Sequence, residues 1–151
     1  MVFDPLRHAW EVLLFIPNFP VEIPLFHKCV CVNRKLLLID RHNIKNWKIL
    51  KRVYNFDFVF AKWHRGENMP MVMHNFGCSV SSSTELIYIT GGRDDQFNVF
   101  LSAEAYNVEQ DKWKIMPPMG QPLDDSHGFF MEEKFIVFNE KENNAIFFNQ
   151  I

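Results

Sequence analysis

The sequence has little net charge and no long apolar run, and both absences exclude classes of partner. Its 16 Lys and Arg nearly balance its 18 Asp and Glu, so the formal net charge is −2. This balance predicts neither a nucleic-acid nor a membrane-surface partner.

The longest apolar runs, such as VLLFI, fall far short of the ~20 residues that a membrane-spanning helix needs. The N-terminus lacks the basic and apolar regions of a targeting segment. We therefore expect a cytoplasmic or nuclear protein that does not contact a membrane.

Cysteine is also scarce, with three residues in the chain. On a strand, Cys29 and Cys31 share one face and lie too close to form a disulfide easily. Together with Cys78 they make an odd set without the spacing of metal ligands. The interpretation is buried free thiols in a reducing compartment, and no metal or other cofactor is predicted.

Helical periodicity is missing as well. No segment keeps apolar residues at positions i, i+3, i+4 and i+7 without a proline or a β-rich run interrupting it. The 16 Phe and the 48% apolar content are instead typical of sheets with a sizeable core. The prediction is an all-β chain with a single folded region at residues 1–151.

A repeat spaced by about 50 residues organises the chain. An aromatic residue stands seven positions before a tryptophan three times. The pairs are Phe3 and Trp10, Phe56 and Trp63, and Tyr106 and Trp113. Each tryptophan is followed six positions later by an apolar residue beside a proline. The two rings of a pair are expected to meet across a hairpin and to serve as core packing.

Two short β segments follow each tryptophan, a further strand precedes each aromatic residue, and the tryptophan itself begins another, which makes four strands per unit. Four strands in about 50 residues are the period of a kelch propeller blade. The strand ELIYIT ends at Gly91 and Gly92, which can take positive φ without a Cβ clash. We therefore predict about three four-stranded antiparallel blades. The chain divides into the end of one blade at 1–17, blades at 25–70 and 75–119, and three strands of another at 127–151.

The segments VYNFDFVFAKW and LSAEAYNVEQDKW resemble the kelch-repeat family, and in particular plant F-box/kelch-repeat proteins. The resemblance implies a propeller that captures substrates for a cullin-type ubiquitin ligase, beside an F-box that docks onto the ligase adaptor. No F-box is expected here, because residue 3 is already predicted to lie in a third strand, and adaptor binding is therefore not expected. Met73 and Leu123 stand where family repeats usually place an arginine. Asp40-Arg41 and Phe138-Asn139 replace the glycine pair in the other repeats.

Three blades do not close a propeller, because closed rings have four to eight. The open blade faces predict self-association, cover by a partner, or a marginal, aggregation-prone product, and we favour the last of these. The predicted function is a protein-interaction module related to ubiquitin-ligase substrate adaptors, whose bound protein would be a ubiquitination substrate. The alternative is a truncated structural remnant without independent activity.

No enzyme site is predicted. The six histidines are scattered without a metal-binding pair. In the row Asp124-Asp125-Ser126-His127, neighbouring residues alternate faces on an extended backbone. The acid, hydroxyl and imidazole therefore cannot converge as a catalytic triad without other elements, and a polar loop between blades is the preferred interpretation.

Two loops of a four-stranded meander leave by the same rim, and they predict a partner-binding surface. The residues are Arg93, Asp94, Asp95, Gln96, Phe97, Asp124, Asp125 and His127. The residues from His42 to Lys48 could extend this rim. The alternative is an ordinary solvated loop, since loops collect polar residues in any case.

Overall fold

The computed structural model describes residues 2–11, 28–39, 48–139 and 144–149, which form strands, turns and loops. Among these residues no helix occurs, and therefore none that is long and apolar enough to cross a membrane. The strands are β1 Val2–Asp4, β2 Ala9–Glu11, β3 Lys28–Val32, β4 Lys35–Ile39, β5 Val53–Asp57, β6 Lys62–Gly66, β7 Gly77–Val80, β8 Ile87–Thr90, β9 Ala103–Asn107, β10 Lys112–Ile115, β11 Ser126–Met131, β12 Lys134–Asn139 and β13 Asn144–Asn149.

The strands form separate antiparallel sheets in which neighbours in sequence pair with each other. Two sheets have four strands, in the orders β3-β4-β5-β6 and β7-β8-β9-β10. The described residues also contain the two-stranded sheet β1-β2 and the three-stranded sheet β11-β12-β13. The predicted all-β class with four-stranded antiparallel sheets is confirmed. The division of the chain at residues 17, 25, 70, 75, 119 and 127 stays a prediction.

The core lies between sheets, because each strand turns alternate side chains to opposite faces. One face of the sheet β7–β10 places Ile87, Ile89 and Tyr106 in a cluster with Leu37 and Val53 of the preceding sheet. The opposite face carries Tyr88 and Ala105, which pack with Phe135 and Val137 of the following sheet. Each fully buried apolar side chain of this size contributes about 1.5–3 kcal/mol to stability.

The glycine pair lies where three chain segments approach one another. Gly91 has φ 66° and Gly92 has φ 83°, so both occupy the region that favours glycine. A Cβ atom on Gly92 would lie 2.5 Å from the carbonyl oxygen of His74, and one on Gly91 would meet the carbonyl oxygen of Leu123. The pair therefore allows the loops before β7 and before β11 to pack against the end of β8.

The cysteines correct one prediction. Cys29 and Cys31 share a face of β3, but both are exposed, so the expectation of buried thiols is wrong for them. The reason is tertiary: β3 is an edge strand, whereas Leu38 and Phe56, which lie on the same face of the inner strands, are buried. Cys78 is partly buried against the cluster around Ile87, and burial raises the pKa of its thiol to about 12.

Candidate functional site

Three loops meet at one end of the sheets, and we call this surface the loop rim. Residues 67–76 join β6 to β7, residues 91–102 join β8 to β9, and residues 116–125 join β10 to β11. The amides of His74 and Arg93 each donate to the other residue's carbonyl oxygen at 2.9 Å. The Gly92 amide donates to the Leu123 carbonyl oxygen at 2.7 Å. The rim is thus connected through its backbone and does not depend on side chains alone.

Arg93 is the central side chain of the loop rim. Its guanidinium Nη1 lies 3.0 Å from Asp124 Oδ2, which forms an ion pair between two loops. The guanidinium carbon also lies 4.7 Å from the centroid of the Phe97 ring. Both ion-pair partners are partly buried, so water screens their attraction less than it would on an open surface. A cation–π contact adds about 0.5–1 kcal/mol at such a site.

Asp94 holds the turn that presents Phe97. Its Oδ1 accepts hydrogen bonds from the amides of Gln96 and Asn98, each at 2.9 Å, and its Oδ2 accepts one from Asn98 Nδ2 at 2.8 Å. These bonds, led by the one from the Asn98 side chain, lower the pKa of the Asp94 carboxyl below its ordinary value. The carboxylate therefore stabilises the loop in its ionised form.

Phe97 is held in an uncommon backbone conformation and faces solvent. Its φ is 66°, in the left-handed region where a bulky side chain is a genuine outlier. Its side chain is 70% exposed. Strain of this kind costs of order 1–3 kcal/mol and persists where the surrounding contacts impose it. Here the contacts are the Asp94 turn and the Arg93 guanidinium.

The predicted rim residues thus have different placements. Arg93, Phe97 and Asp124 come together, and Asp94 supports them. Asp95 and Gln96 are exposed in the same turn, and Asp125 is partly buried beside Asp124. His127 lies on β11 instead, where its ring stacks on Phe138 with the centroids 5.5 Å apart. The residues from 42 to 47 that could extend the rim lie outside the described part of the chain, and Lys48 is exposed.

Three apolar residues of the rim were missed by the sequence reasoning. Val72, Val99 and Leu101 are each about two-fifths exposed and lie in the loops that carry His74 and Arg93. The signal for two of them was present, because the sequence places the apolar run from Val99 to Leu101 inside a loop, shortly after Phe97. The rim therefore has an apolar centre with acidic groups beside it.

The aromatic–tryptophan pairs lie within the sheets and not at the rim. The rings of Tyr106 and Trp113 are 4.7 Å apart, and those of Phe56 and Trp63 are 5.2 Å apart. Phe3 pairs in register with Trp10. Phe56 and Tyr106 are buried, as expected for core packing. Trp10, by contrast, is 66% exposed on the two-stranded sheet, so the predicted role in core packing is wrong for Trp10.

Trp113 also connects two sheets. Its indole Nε1 donates to the carbonyl oxygen of Glu67, just after β6, at 3.1 Å. The Tyr106 hydroxyl donates to Asp111 at 2.5 Å and approaches Gly66 so closely that a Cβ there would clash with it. These contacts give the aromatic pair a structural role between neighbouring sheets.

Glu104 is a buried carboxyl group that the sequence reasoning also missed. It is 2% exposed on β9, and its Oε2 has no hydrogen-bond partner among the residues that the structure describes. Burial raises the pKa of this carboxyl to about 7. Its strand partner is Ile89, so the group lies on the sheet face that packs against the sheet β3–β6.

Among the described residues, the other grooves and groups of titratable side chains are weaker candidates for a functional site. An open groove of about 500 Å³ is lined by Arg65, Gly66, Glu67, Asn68 and Asp111. Among the residues that the structure describes, no group of three or more His, Cys, Asp or Glu is arranged to hold a metal ion. The loop rim is therefore the strongest candidate for a binding surface.

Comparison with known proteins supports the kelch resemblance. Residues 74–120 match the family model described as Kelch motif. The chain is 37% identical to the F-box/kelch-repeat protein SKIP20 of Arabidopsis thaliana over 74% of its own length and 28% of the relative. It is 39% identical to the F-box/kelch-repeat protein At2g44130 of the same plant, over 85% of the chain and 31% of that relative. The chain thus spans about a third of these curated relatives.

A solved structure supports the propeller-like fold. The structure of YjhT superposes with a TM-score of 0.60 at 15% identity, covering 80% of this chain and 35% of that one. At this identity the similarity concerns the fold alone. Together, the repeat, the relatives and the fold support a propeller-type protein-interaction module.

Proposed function

We propose that this chain, which belongs to the kelch-repeat family, binds a protein partner through the loop rim around Arg93 and Phe97. The observation that carries the proposal is the exposed Phe97 ring, held over a guanidinium by a turn closed by Asp94. Arginine and large aromatic residues are enriched where proteins concentrate their binding energy. A side chain already held in place loses little conformational entropy on binding.

The charges of the loop rim define the chemistry of the partner. Asp94, Asp95, Asp124 and Asp125 lie in the two loops that the ion pair of Arg93 with Asp124 joins. Val99 and Phe97 supply apolar surface between them. A segment with an apolar anchor flanked by Lys or Arg would complement this surface, and attraction between the charges would accelerate its association.

The relatives support a finer proposal. Because they are named F-box/kelch-repeat proteins, the bound protein would be a substrate for ubiquitination, captured in the cytoplasm or nucleus. Catalysis is not part of the proposal, because Asp124 pairs with Arg93 while His127 stacks on Phe138. The acid and the imidazole of the predicted row therefore have different neighbours.

The test compares two phenylalanines of equal exposure. Phe97 and Phe60 are each 70% exposed, but Phe60 lies in the turn between β5 and β6, outside the loops of the rim. Partners identified by proximity labelling in plant cells would be purified and titrated against the chain by calorimetry. F97A should weaken binding about 10- to 100-fold, because truncating a central aromatic anchor costs about 1–3 kcal/mol.

The control variant F60A should bind as the wild type does. Binding that is unaffected by F97A but lost in F60A would move the partner site to the other turn and overturn the proposal. An equal loss in both variants would point to nonspecific apolar adhesion and would also contradict it.

A further inference from the structure

The turn between β5 and β6 exposes apolar side chains in succession, and we call residues 58–61 the apolar turn. Phe58 is 47% exposed, Val59 62% and Phe60 70%. Exposed apolar residues that occur singly are ordinary on a protein surface, whereas contiguous ones are a sign of contact with another molecule. The apolar turn lies at the opposite end of β6 from the loop rim, so it is a separate surface.

The backbone of the apolar turn is held by three hydrogen bonds. Asp57 Oδ1 accepts one from the Val59 amide at 2.8 Å and one from the Phe60 amide at 3.1 Å. The Phe58 amide donates to the carbonyl oxygen of Arg34 at 3.1 Å. The tip of the turn is therefore fixed before a partner binds, which lowers the entropy cost of binding.

The turn between β9 and β10 repeats this backbone conformation in the next sheet. In both turns, the residue that ends the first strand accepts a hydrogen bond from the amide three positions later. Asp57 accepts it from Phe60 at 3.1 Å, and Asn107 accepts it from Gln110 at 2.9 Å. The last residue of each turn has a positive φ, 51° in one and 52° in the other. The two turns are thus equivalent.

The equivalent turns differ in the side chains at their tips. Glu109 and Gln110 are exposed where the apolar turn has Val59 and Phe60. Because the same backbone accepts the polar pair, the apolar pair is not needed to form the turn. Water-exposed apolar area is unfavourable until another surface covers it. The apolar tip is therefore explained by contact with a partner and not by the turn itself.

Exposed cations flank the apolar turn. Arg34 lies beside it, since its carbonyl oxygen accepts an amide of the turn, and Lys62 follows it directly. Both side chains are exposed. The two acidic groups nearby already have partners: Asp57 accepts from amides of the turn, and Glu109 pairs with Lys35 at 2.9 Å. Carboxylates of a partner would therefore be attracted on both sides of the turn.

We propose that the apolar turn is a second protein-binding surface, which takes an acidic segment with apolar side chains between Asp or Glu residues. The apolar side chains of the segment cover Val59 and Phe60, and its carboxylates pair with Arg34 and Lys62. The loop rim is acidic and calls for a basic partner. The two ends of the sheets would thus hold partners of opposite charge.

A protein segment fits this end of the molecule better than an anionic lipid surface does. Glu85 and Glu109 are exposed at the same end, where they bind Asn33 and Lys35 on either side of Arg34. A broad anionic surface would meet these carboxylates together with the apolar turn and would be repelled by them. A single segment contacts the turn and its flanking cations alone.

The probe for the test is a displayed library of random peptides, selected on the immobilised chain. Acidic peptides with aromatic or aliphatic residues should be enriched, and fluorescence anisotropy then measures their dissociation constants. V59E/F60Q copies the tip of the equivalent turn, so this variant should melt as the wild type does. It should weaken binding of these peptides about 10- to 100-fold. Charge reversal in R34E/K62E should weaken it at least about tenfold.

The matched control is Q110A, which truncates the equivalent position of the other turn and should bind as the wild type does. Should V59E/F60Q fail to melt cooperatively, F60Q alone replaces it. No variant in this test alters the loop rim, so the outcome does not depend on the partner proposed there.

Two results overturn the proposal at the level of peptides. One is a selection that enriches no acidic peptides, and the other is acidic peptides that bind V59E/F60Q as tightly as the wild type. Sedimentation with vesicles of phosphatidylcholine and phosphatidylserine covers the lipid alternative. Vesicle binding that V59E/F60Q abolishes would assign the turn to a membrane surface and would overturn the proposal as well.

Discussion

At the scale of single residues, Glu104 shows how burial changes the chemistry of one carboxyl group. The group has a pKa near 7 in the folded chain, above its ordinary 4.5, because burial disfavours its charged form. Between these two values the folded chain holds a proton that the unfolded chain has released. Stability from this group is therefore fully present below pH 4.5 and is lost as the pH rises through 7.

The E104Q variant should remove this dependence. As the pH rises from 4 to 8, the unfolding free energy of E104Q should increase by roughly 3 kcal/mol relative to that of the wild type. Urea unfolding at the two pH values measures this shift. E132Q, in the exposed turn between β11 and β12, is the control and should show no such shift. Parallel pH curves for wild type and E104Q would contradict the prediction.

At the scale of one element, the loop 94–98 is held in place by the Asp94 carboxylate. The amides of Gln96 and Asn98 both donate to it, so D94A should free them. Hydrogen exchange at these two amides should accelerate at least about tenfold, since local opening would no longer break those bonds. The neighbouring D95A variant is the matched control, because Asp95 is exposed in the same turn. Equal exchange rates in both variants would show that the turn does not depend on Asp94.

The sheets illustrate a second point at this scale. The contacts between them are as specific as those within them, as the Trp113 indole bond to Glu67 shows. The glycines at 66 and 92 allow close approach of a neighbouring segment. Neighbouring sheets of this chain are therefore coupled by defined contacts and not by apolar area alone.

At the scale of the whole molecule, the question is whether the chain is a folded module or a structural remnant. A module should melt in one cooperative transition, because the buried cluster around Ile87 joins two sheets. The I87A variant should lose about 2–5 kcal/mol, the typical cost of such a cavity. Scanning calorimetry with chemical unfolding checks both statements.

The matched control for this prediction is I115A. Ile115 is exposed, so its truncation should change stability by no more than about 0.5 kcal/mol. A wild-type chain without any cooperative transition would contradict the module and support the remnant.

Much of the fold was predictable because it depends on local spacing. The period of two along short strands predicted sheets, and the Tyr106 and Trp113 spacing predicted a hairpin with adjacent rings. The positive φ at Gly91 and Gly92 followed from an apolar strand ending in two glycines. The rim positions of Arg93 and Phe97 followed from the order of strands and loops.

Other features depended on neighbours distant in sequence. The ion pair of Arg93 with Asp124, the burial of Glu104 and the strained backbone of Phe97 arise where separate loops or sheets meet. A local sequence pattern does not show which distant segment of the chain packs against it. This is also why exposed apolar residues of the rim, such as Val99, were not recognised as part of the surface.

The sequence by itself determined the repeated strand pattern, the all-β class and the kelch resemblance, since each depends on spacing within about 50 residues. The tertiary structure alone decided which faces are covered. The same alternation that buries Leu37 against the next sheet leaves Cys29 and Phe129 exposed on the other faces of their sheets. Burial depends on what packs against a strand, and the residues of the strand do not specify that.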